Sequence, residues 1–432
     1  MAVAIVLAHA QLSAEPAVSG PATGDKPIAI SLDEAIKCAE ANEPAYAALS
    51  AESRAAGLDR WTARGSLLPS VVYHNQALYT QTDHGQTTPR FIANNAAREY
   101  TSQAVVAETL GLAGLAGVRR ADAAAARAAA ELEIARRGLV AAVTSLYYGV
   151  VAAESKLSIA ERARGEAADF TALTGKREQA REAAHADVVR AQLQQQQRER
   201  ELSNARVAAE KARLELGILL FADPRTPYWP APETSVAPLA ERAEAEEAAA
   251  KNNPELKSAL SALKMSNDNV LAARAAYLPD LGLNVTYGID ASQFAVNGAD
   301  GTRNLGYSAS VTLDIPVWDW LSTQHKVRQG EIRRDAERVA LNATQSRLIA
   351  RLHDAYSEAA AARDQLASLD ESVTTAAESL RLTKMRYSEG EATVLEVVDA
   401  QTAVVSMENA REDGRVRYQA ARADLQTLTG TM

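Results

Sequence analysis

The chain has few of the residues that mark enzymes, redox proteins or disulfide-bonded domains. Among its 432 residues, Cys38 is the single cysteine, and aromatic residues make up only 5%. One cysteine cannot form an intramolecular disulfide. The six histidines lie far apart in the sequence, without the spacing of a zinc site. No nucleophile elbow, phosphate loop or dinucleotide motif is present. We therefore expect no enzymatic activity, no catalytic residues, no metal site and no cofactor.

Long apolar runs and basic clusters are also missing. No segment approaches ~18 consecutive apolar residues, so the sequence predicts no transmembrane helix. The net charge is −9, and arginines alternate with glutamates along the chain, which argues against nucleic acid as a partner. The start of the chain is apolar, and Ala8-His9-Ala10 has the small-x-small pattern of a signal-peptidase site without a basic region before it. We expect residues 1–14 to be the remnant of a signal peptide.

The most informative feature that is present is an internal repeat. Asn42-Glu43-Pro44 and Leu68-Pro69 recur 210 residues later as Asn252-Asn253-Pro254 and Leu278-Pro279. Asp187-Val-Val-Arg-Ala-Gln192 returns 209 residues later as Glu396-Val-Val-Asp-Ala-Gln401. A duplication of this extent predicts two tandem copies of one supersecondary unit. The expected boundaries are 15–221 for the first repeat, 222–239 for a proline-rich connector and 240–430 for the second repeat.

Each copy begins with a helix that a Leu-Pro pair terminates. Ser31-Leu-Asp-Glu34 has the spacing of a capping box and predicts a helix that continues to about Ser66. In the second copy, the helix from Glu241 to Tyr277 is expected to be interrupted or re-angled at Asn253-Pro254.

After each Leu-Pro pair the apolar residues alternate with polar ones, as in a β-strand. In the second copy the alternation is regular from Leu281 to Ile289 and from Tyr307 to Ile315, on either side of a turn-rich segment. The first copy alternates less regularly. We expect strand pairs at about 70–110 and about 281–316.

A very long helix follows each strand pair and then doubles back. From Leu348 to Leu380 the apolar positions keep an unbroken 4-3 spacing, which predicts a coiled-coil seam. The expected outgoing helices span about 118–163 and about 319–386. The turns are expected near 165–175 and at 388–391, and the returning helices are expected to end near Leu220 and Leu428.

Four such strands cannot form a stable isolated sheet, because its two edges would remain unpaired. Strands of about ten residues match the ~9 to 11 residues that cross a bilayer in a β-barrel. Other copies of the chain must therefore close the sheet.

Three features together resemble the TolC-like outer-membrane efflux protein family: the segment from Arg386 to Gln401, the Leu-Pro helix stops, and Val311-Thr-Leu-Asp-Ile-Pro316 before a long helix. The resemblance covers roughly residues 30 to 430. It implies an α+β membrane protein, in which long helices in coiled-coil pairs form a periplasmic α-barrel. Four strands from each of three chains form a twelve-stranded outer-membrane β-barrel. Such homotrimers are exit ducts in the outer-membrane lipid that dock a periplasmic adaptor protein and an inner-membrane pump.

The resemblance also assigns candidate site residues. Glu396 and Asp399 match positions where acidic side chains ring the periplasmic constriction, although Thr393-Val-Leu-Glu396 is equally a capping box. The residues expected to form the tip turn and a possible adaptor-docking site are Tyr387, Ser388, Glu389, Gly390, Glu391 and Ala392. Some relatives carry a basic residue at the position of Ala392 that locks the closed state. In the first copy Arg181 stands where the family has the turn glycine, so that turn is expected to differ or to be helical.

Two other classes of protein remain open at this point. A soluble coiled-coil scaffold would explain the heptads but not the strands after each Leu-Pro pair. A periplasmic adaptor also has a helical hairpin, but it would need a lipoyl-like β domain flanking one hairpin. The sequence does not identify the cargo, which could be a drug, a metal ion or a secreted protein.

Overall fold

The computed structural model describes residues 28–79, 98–231, 238–298 and 301–430. The expected signal-peptide remnant at 1–14 lies outside these residues. The helices are α1 Leu32–Asn42, α2 Pro44–Gly65, α3 Leu112–Gln179, α4 His185–Leu220, α5 Arg242–Asn252, α6 Pro254–Ala275, α7 Ser322–Ser388 and α8 Val394–Thr429. The strands are β1 Ile28–Ile30, β2 Ser70–Tyr79, β3 Arg98–Leu110, β4 Tyr228–Pro230, β5 Asp280–Ala291 and β6 Leu305–Asp314.

The chain divides into two compact units that do not follow the sequence repeats. Unit 1 contains residues 1–43, 139–238 and 360–423, and unit 2 contains 44–138, 239–359 and 424–432. Each unit therefore takes segments from both halves of the chain. The helices of the two halves match in order and length, with 11, 22, 68 and 36 residues in the first half and 11, 22, 67 and 36 in the second.

Unit 2 contains a four-stranded antiparallel sheet in the order β2-β3-β5-β6. Its register pairs Val71 with Val106, Val106 with Val285, and Val285 with Ala309. Because side chains alternate along a strand, these paired residues share one face of the sheet. Leu281, Leu283 and Tyr287 lie on that face opposite Leu313, Val311 and Tyr307, and we call it the apolar face.

The opposite face of the sheet is polar across β5 and β6, while Val72 and Val105 lie on it beside Thr286. Asn284 pairs with Ser310, Thr286 with Ser308 and Gly282 with Thr312. The hydroxyl oxygens of Thr286 and Ser308 lie 2.6 Å apart. Within the described residues β2 and β6 each pair on one side only, so the sheet has two open edges.

The first helix is broken where the sequence analysis expected a continuous helix to Ser66. Helix α1 ends at Asn42, and its C-cap Glu43 has extended dihedrals, φ −74 and ψ 114. Helix α2 begins at Pro44. The reason is steric, because a proline disfavours the helical region for the residue before it. The second copy breaks in the same way at Asn253, as predicted.

An asparagine at each break caps a distant helix. The Asn42 side chain donates to the carbonyl oxygen of Leu220 at 2.5 Å, at the end of α4. The Asn253 side chain donates to the carbonyl oxygen of Leu428 at 3.3 Å, near the end of α8. Carbonyls in the last turn of a helix have no intrahelical partner, so each bond satisfies a group that the helix leaves open. The capping box of Ser31 and Glu34 is also present, as predicted.

Helix α3 is longer than expected, and the turn predicted near 165–175 is absent. Gly165 and Gly175 both lie inside the helix, which continues to Gln179. Between them Ala167, Phe170 and Thr174 recur at helical spacing and are at most 7% exposed. Burial of this stripe outweighs the ~1 kcal/mol that each internal glycine costs a helix.

An alanine- and valine-rich part of α3 also has the hydropathy of a candidate membrane span. Its best 18-residue window reaches a mean hydropathy of 1.2, and 39% of that window is buried in the structure. This is weak evidence on its own, because long core helices of proteins outside membranes meet the same criterion.

The predicted coiled-coil seam of α7 is buried or half-buried along its length. Leu352, Ala359, Ala362 and Leu366 are at most 8% exposed. In unit 1 Leu366 packs with Ala362 and with Tyr418 of α8, and this Tyr is 1% exposed. A Cβ added to Gly414 of α8 would lie 2.9 Å from the Leu369 side chain, so the small residue permits this close helix packing.

The proline-rich connector contains one short strand. β4 pairs in parallel with β1, with Ile28 opposite Tyr228. The hydroxyl of Tyr147 in α3 lies 3.1 Å from the carbonyl oxygen of Ile30 and 2.7 Å from that of Ala231. This buried tyrosine fixes the small sheet of unit 1 to the long helix.

Candidate functional site

The candidate site lies in unit 1, where the two helical hairpins turn. In the second hairpin the Glu391 N–H donates to the carbonyl oxygen of Arg386 at 2.8 Å, and the Gly390 N–H donates to that of Tyr387 at 3.2 Å. This pair of bonds is a Schellman motif, which needs a left-handed residue after the helix. Gly390 supplies it with φ +80, as the sequence predicts.

The first hairpin has the same turn, contrary to the sequence analysis. The Glu182 N–H donates to the carbonyl oxygen of Arg177 at 2.8 Å, and the Arg181 N–H donates to that of Glu178, also at 2.8 Å. Arg181 takes the glycine's place with φ 62. The expected departure is wrong because the hydrogen-bond pattern of the turn imposes the left-handed conformation on arginine, at a cost of roughly 1–2 kcal/mol.

Glu396 caps the helix that follows the second turn. The Thr393 N–H donates to Oε2 of Glu396 at 2.9 Å, and the Glu396 N–H donates to Oγ1 of Thr393 at 3.3 Å. These reciprocal bonds form a capping box. In the first hairpin the N-cap is Ala184, which has no side-chain bond of this kind. The carboxylate of Glu396 therefore has a structural role at the start of α8.

Asp399 is exposed and lies one turn further along α8, on the same side as the exposed Glu396. The corresponding residues of the first copy, at an offset of 209, are Asp187 and Arg190. Two acidic positions in the second hairpin therefore correspond to an acidic and a basic position in the first. Only the second hairpin has carboxylates at both of these positions.

A small apolar cluster lies beneath the turns. Its buried members are Phe170, Ala191, Tyr387, Val394 and Val397. The rings of Phe170 and Tyr387 have centroids 5.2 Å apart. Tyr387 is only 6% exposed, so its side chain is a core group beneath the turn, which the sequence analysis did not predict. Ser388, Glu389, Gly390 and Glu391 are exposed, and Ala392 packs against the cluster.

Arg177 joins the end of α3 to the second turn. Its guanidinium donates to the carbonyl oxygens of Tyr387 at 2.7 Å and of Ser388 at 2.8 Å. Its Cζ also lies 4.7 Å from the centroid of the Tyr387 ring. Those carbonyls are in the last turn of α7 and lack intrahelical partners, so a cation there is favoured by hydrogen bonding and by the helix dipole.

Sequence reasoning missed Arg177 because its partner lies 210 residues away in the chain. The internal repeat was the sequence feature that could have pointed to Arg177. Arg177 and Arg386 are equivalent at an offset of 209, but Arg386 donates within its own turn, to the carbonyl oxygen of Glu391 at 3.1 Å. Both equivalent arginines therefore donate hydrogen bonds to backbone carbonyls of the second turn.

Ion pairs continue between the hairpins. Lys384 lies 3.0 Å from Glu166, Lys156 lies 2.5 Å from Asp413, and Arg162 pairs with Glu408. Each pair is partly exposed and contributes roughly 0–1 kcal/mol. Among the described residues, no three His, Cys, Asp or Glu side chains cluster in a way that could hold a metal ion.

Comparisons with known proteins agree with this architecture. Residues 246–431, most of the second repeat, match the family model for outer membrane efflux proteins. The outer membrane protein OprJ of Pseudomonas aeruginosa is 27% identical over 172 residues, which are 40% of this chain and 36% of OprJ. The alkaline protease secretion protein AprF of the same organism is 22% identical over 408 residues, covering 90% of this chain and 82% of AprF.

The fold matches a solved channel over nearly its full length. The CmeC outer membrane channel of Campylobacter jejuni superimposes with a TM-score of 0.76 at 16% identity, covering 95% of this chain and 90% of that one. The fold is therefore shared with an outer membrane channel, and the TolC-like resemblance found in the sequence is confirmed. The second half of the chain, residues 246–431, therefore resembles the outer membrane efflux protein family.

Proposed function

We propose that the protein is the outer-membrane exit duct of a tripartite efflux or type I secretion system. It would pass small molecules or a secreted protein from a periplasmic pump-adaptor assembly to the exterior. The observation that carries the proposal is the four-stranded sheet of unit 2, which has one apolar face, one polar face and two open edges.

The open edges favour assembly into a trimer. Unpaired backbone groups are not tolerated in the hydrocarbon of a bilayer, so the edges of β2 and β6 must pair with other strands. Three copies would supply twelve strands and close the barrel. The apolar face then meets lipid and the face with Asn284, Thr286 and Ser310 lines a water-filled lumen.

The two rival classes are less well supported. A soluble scaffold has no use for a sheet whose exposed face carries Val71, Tyr307 and Val311, each more than 70% exposed. A periplasmic adaptor is disfavoured because the strand pairs lie between helices in both halves. The agreement of the whole fold with an outer membrane channel also supports the duct.

The proposed partners, a pump and an adaptor, rest on the exposed residues of the second turn and on the similarity to AprF. The name of AprF refers to secretion of an alkaline protease, which supports a duct that works with a pump and an adaptor. The exposed turn residues Ser388, Glu389, Gly390 and Glu391 are the proposed contact with the adaptor. Glu396 and Asp399 are the proposed carboxylates of the periplasmic constriction, where they would favour cations.

Two measurements test the proposal. The mass of the detergent-extracted protein should correspond to three chains, and the protein should conduct ions in planar bilayers. A stable monomer or dimer without conductance would exclude the duct. Recovery only from the soluble fraction would favour the scaffold or the adaptor instead.

A further inference from the structure

A cavity in unit 2 has a basic lining that the proposed duct does not account for. Its volume is about 570 Å³, and it lies between α3, α6 and α7. Arg120 of α3 and Lys326 and Arg333 of α7 line it. Gly330 also lines it, and a Cβ there would lie 3.2 Å from the side chain of Val270, so the glycine lets α6 and α7 pack closely. The cavity therefore belongs to the helix packing, and three cations surround it.

The three basic side chains have no carboxylate partner. Among the described residues, Arg120, Lys326 and Arg333 form no ion pair, and all three are exposed. Lys326 has a weak charge interaction with Asp319, whose carboxylate accepts the Thr323 N–H at 2.6 Å. The described lining contains one acidic side chain, that of Glu337. Three positive charges and one negative charge therefore face the cavity.

The acidic residues nearby are bound to other arginines. Glu331 pairs with Arg274 at 2.8 Å and with Arg328 at 3.6 Å. Asp335 pairs with Arg334 at 2.8 Å. These three arginines lie outside the cavity lining. Carboxylates thus neutralise the arginines outside the cavity and leave the cations of its lining unpaired.

The internal repeat shows that the fold does not require these cations. Equivalent ion pairs in the two halves of the chain place α3 and α7 at an offset of 209 residues. At that offset Lys326 corresponds to Gly117, and Arg333 corresponds to Ala124. Lys326 also lies near the start of α7, where the helix dipole disfavours a cation. The second half therefore carries two unpaired cations at positions where the first half has small residues.

The lining has the chemistry of a site for phosphate. Arginine and lysine form short, charge-assisted hydrogen bonds to phosphate oxygens, and several can bind one group. Ser266, Asn269 and Gln329 add neutral hydrogen-bonding groups to the same lining. The volume lies within the range of small-molecule sites, roughly 300–1,000 Å³. The whole chain has a net charge of −9, so the positive lining is a local feature.

We propose that the cavity between α3, α6 and α7 binds a phosphate-bearing group through Arg120, Lys326 and Arg333. The group could belong to a phospholipid headgroup or to a soluble phosphate. Helix α3 begins one residue after β3, and Arg120 lies eight residues into it, about 12 Å along the axis. The site is therefore close to the helix-proximal end of the sheet. It is built within unit 2 and does not depend on conductance.

Calorimetric titration of the detergent-extracted protein with sodium phosphate tests the site, with sodium chloride holding the ionic strength constant. We expect saturable binding that Lys326→Gln/Arg333→Gln weakens by about tenfold or more. Arg328→Gln/Arg334→Gln is the matched control. It removes the same charge from the same helix, at residues outside the lining, and should change the affinity by less than about twofold. Equal loss in both variants would mean unspecific attraction to a basic surface and would overturn the site.

A lipid measurement distinguishes the two sources. The same proteins are mixed with phosphatidylglycerol or with diacylglycerol of the same chains, and native mass spectrometry counts the lipids retained. Preferential retention of phosphatidylglycerol that Lys326→Gln/Arg333→Gln abolishes would assign the headgroup as the source. Binding of inorganic phosphate without this preference would assign a soluble phosphate. If the unmodified protein shows neither, the proposal is wrong, whether or not the protein conducts.

A gain of affinity guards against misfolded variants. Glu337→Gln removes the negative charge from the described lining and should tighten phosphate binding by about threefold. A variant that fails to fold cannot give this result. Unchanged or weaker binding by folded Glu337→Gln would place the bound phosphate outside this cavity and would overturn the assignment.

Discussion

The Arg177 guanidinium donates to the Tyr387 carbonyl oxygen at 2.7 Å and at the same time lies over the ring of that residue. One side chain from the first hairpin thus holds the backbone and the side chain of the last turn of α7. Ala392 stands where the resemblance to the TolC-like family implies a basic residue in some members. Arg177 offers a cation to the same turn from the other hairpin.

The first prediction is that Arg177→Met loosens the second turn. Two charge-assisted hydrogen bonds are lost, and we expect the free energy of unfolding to fall by about 2 kcal/mol. In planar bilayers the variant should open more often than the unmodified channel. Arg381→Met is the control, because Arg381 pairs with Glu378 on its own helix, and it should change neither quantity much. Equal behaviour of the two variants would show that Arg177 is an ordinary surface arginine.

The second prediction concerns the two left-handed turn residues. Gly390→Ala places a Cβ at φ +80 and should destabilise the protein by roughly 1–2 kcal/mol. Arg181→Gly relieves the same strain at φ 62, offset in part by unfolded-state entropy, and should stabilise by up to about 1 kcal/mol. Thermal unfolding of both variants measures the difference. The prediction requires the two variants to change the stability in opposite directions. A loss of stability in both would mean that Arg181 makes a contact that outweighs its strain.

The sequence predicted the features that depend on local patterns. The strand alternation, the capping box at Ser31, the Leu-Pro stops and the heptad seam all describe contacts within one element or one face. It did not predict the end of α3, because Gly165 and Gly175 look like turn residues until the buried stripe that crosses them is known. It did not predict the left-handed Arg181 either, since the hydrogen bonds of the turn, and not the residue type, set its conformation.

The site residues divide in the same way, into features set by local patterns and features set by contacts between helices. The sequence alone predicted that Glu396 belongs to a capping box and that Gly390 has a positive φ. The burial of Tyr387 was not predicted, because its partners, Phe170 and Arg177, lie on another helix. Contacts between residues this far apart in the chain leave no periodic pattern in the sequence.

The third prediction is the carboxylate constriction. Asp399→Asn should weaken cation preference and block by multivalent cations added from the periplasmic side, with little loss of stability. Glu396→Gln should weaken them too while keeping part of the capping bond, and Glu396→Ala should also destabilise by about 1 kcal/mol. Unchanged ion selectivity in the Glu396→Gln/Asp399→Asn double variant would show that these groups serve only the start of α8.

The fourth prediction concerns the seam. Leu366→Asp buries an unpaired charge against Tyr418 and should cost several kcal/mol, enough to prevent trimer assembly. The neighbouring Ala367 is exposed, so Ala367→Asp introduces the same charge on the same helix with little effect. Trimer yield after detergent extraction compares the two. A normal yield from Leu366→Asp would mean that the seam tolerates water.

In the proposed trimer, the open edges of β2 and β6 make folding a reaction between chains. A single chain cannot satisfy the backbone of its own sheet, so the rate of reaching the native state should rise with chain concentration. The same edges can also template unlimited strand addition, and the apolar face favours it. Correct closure therefore competes with fibril-like association at every encounter, and the outcome depends on how quickly a third chain arrives.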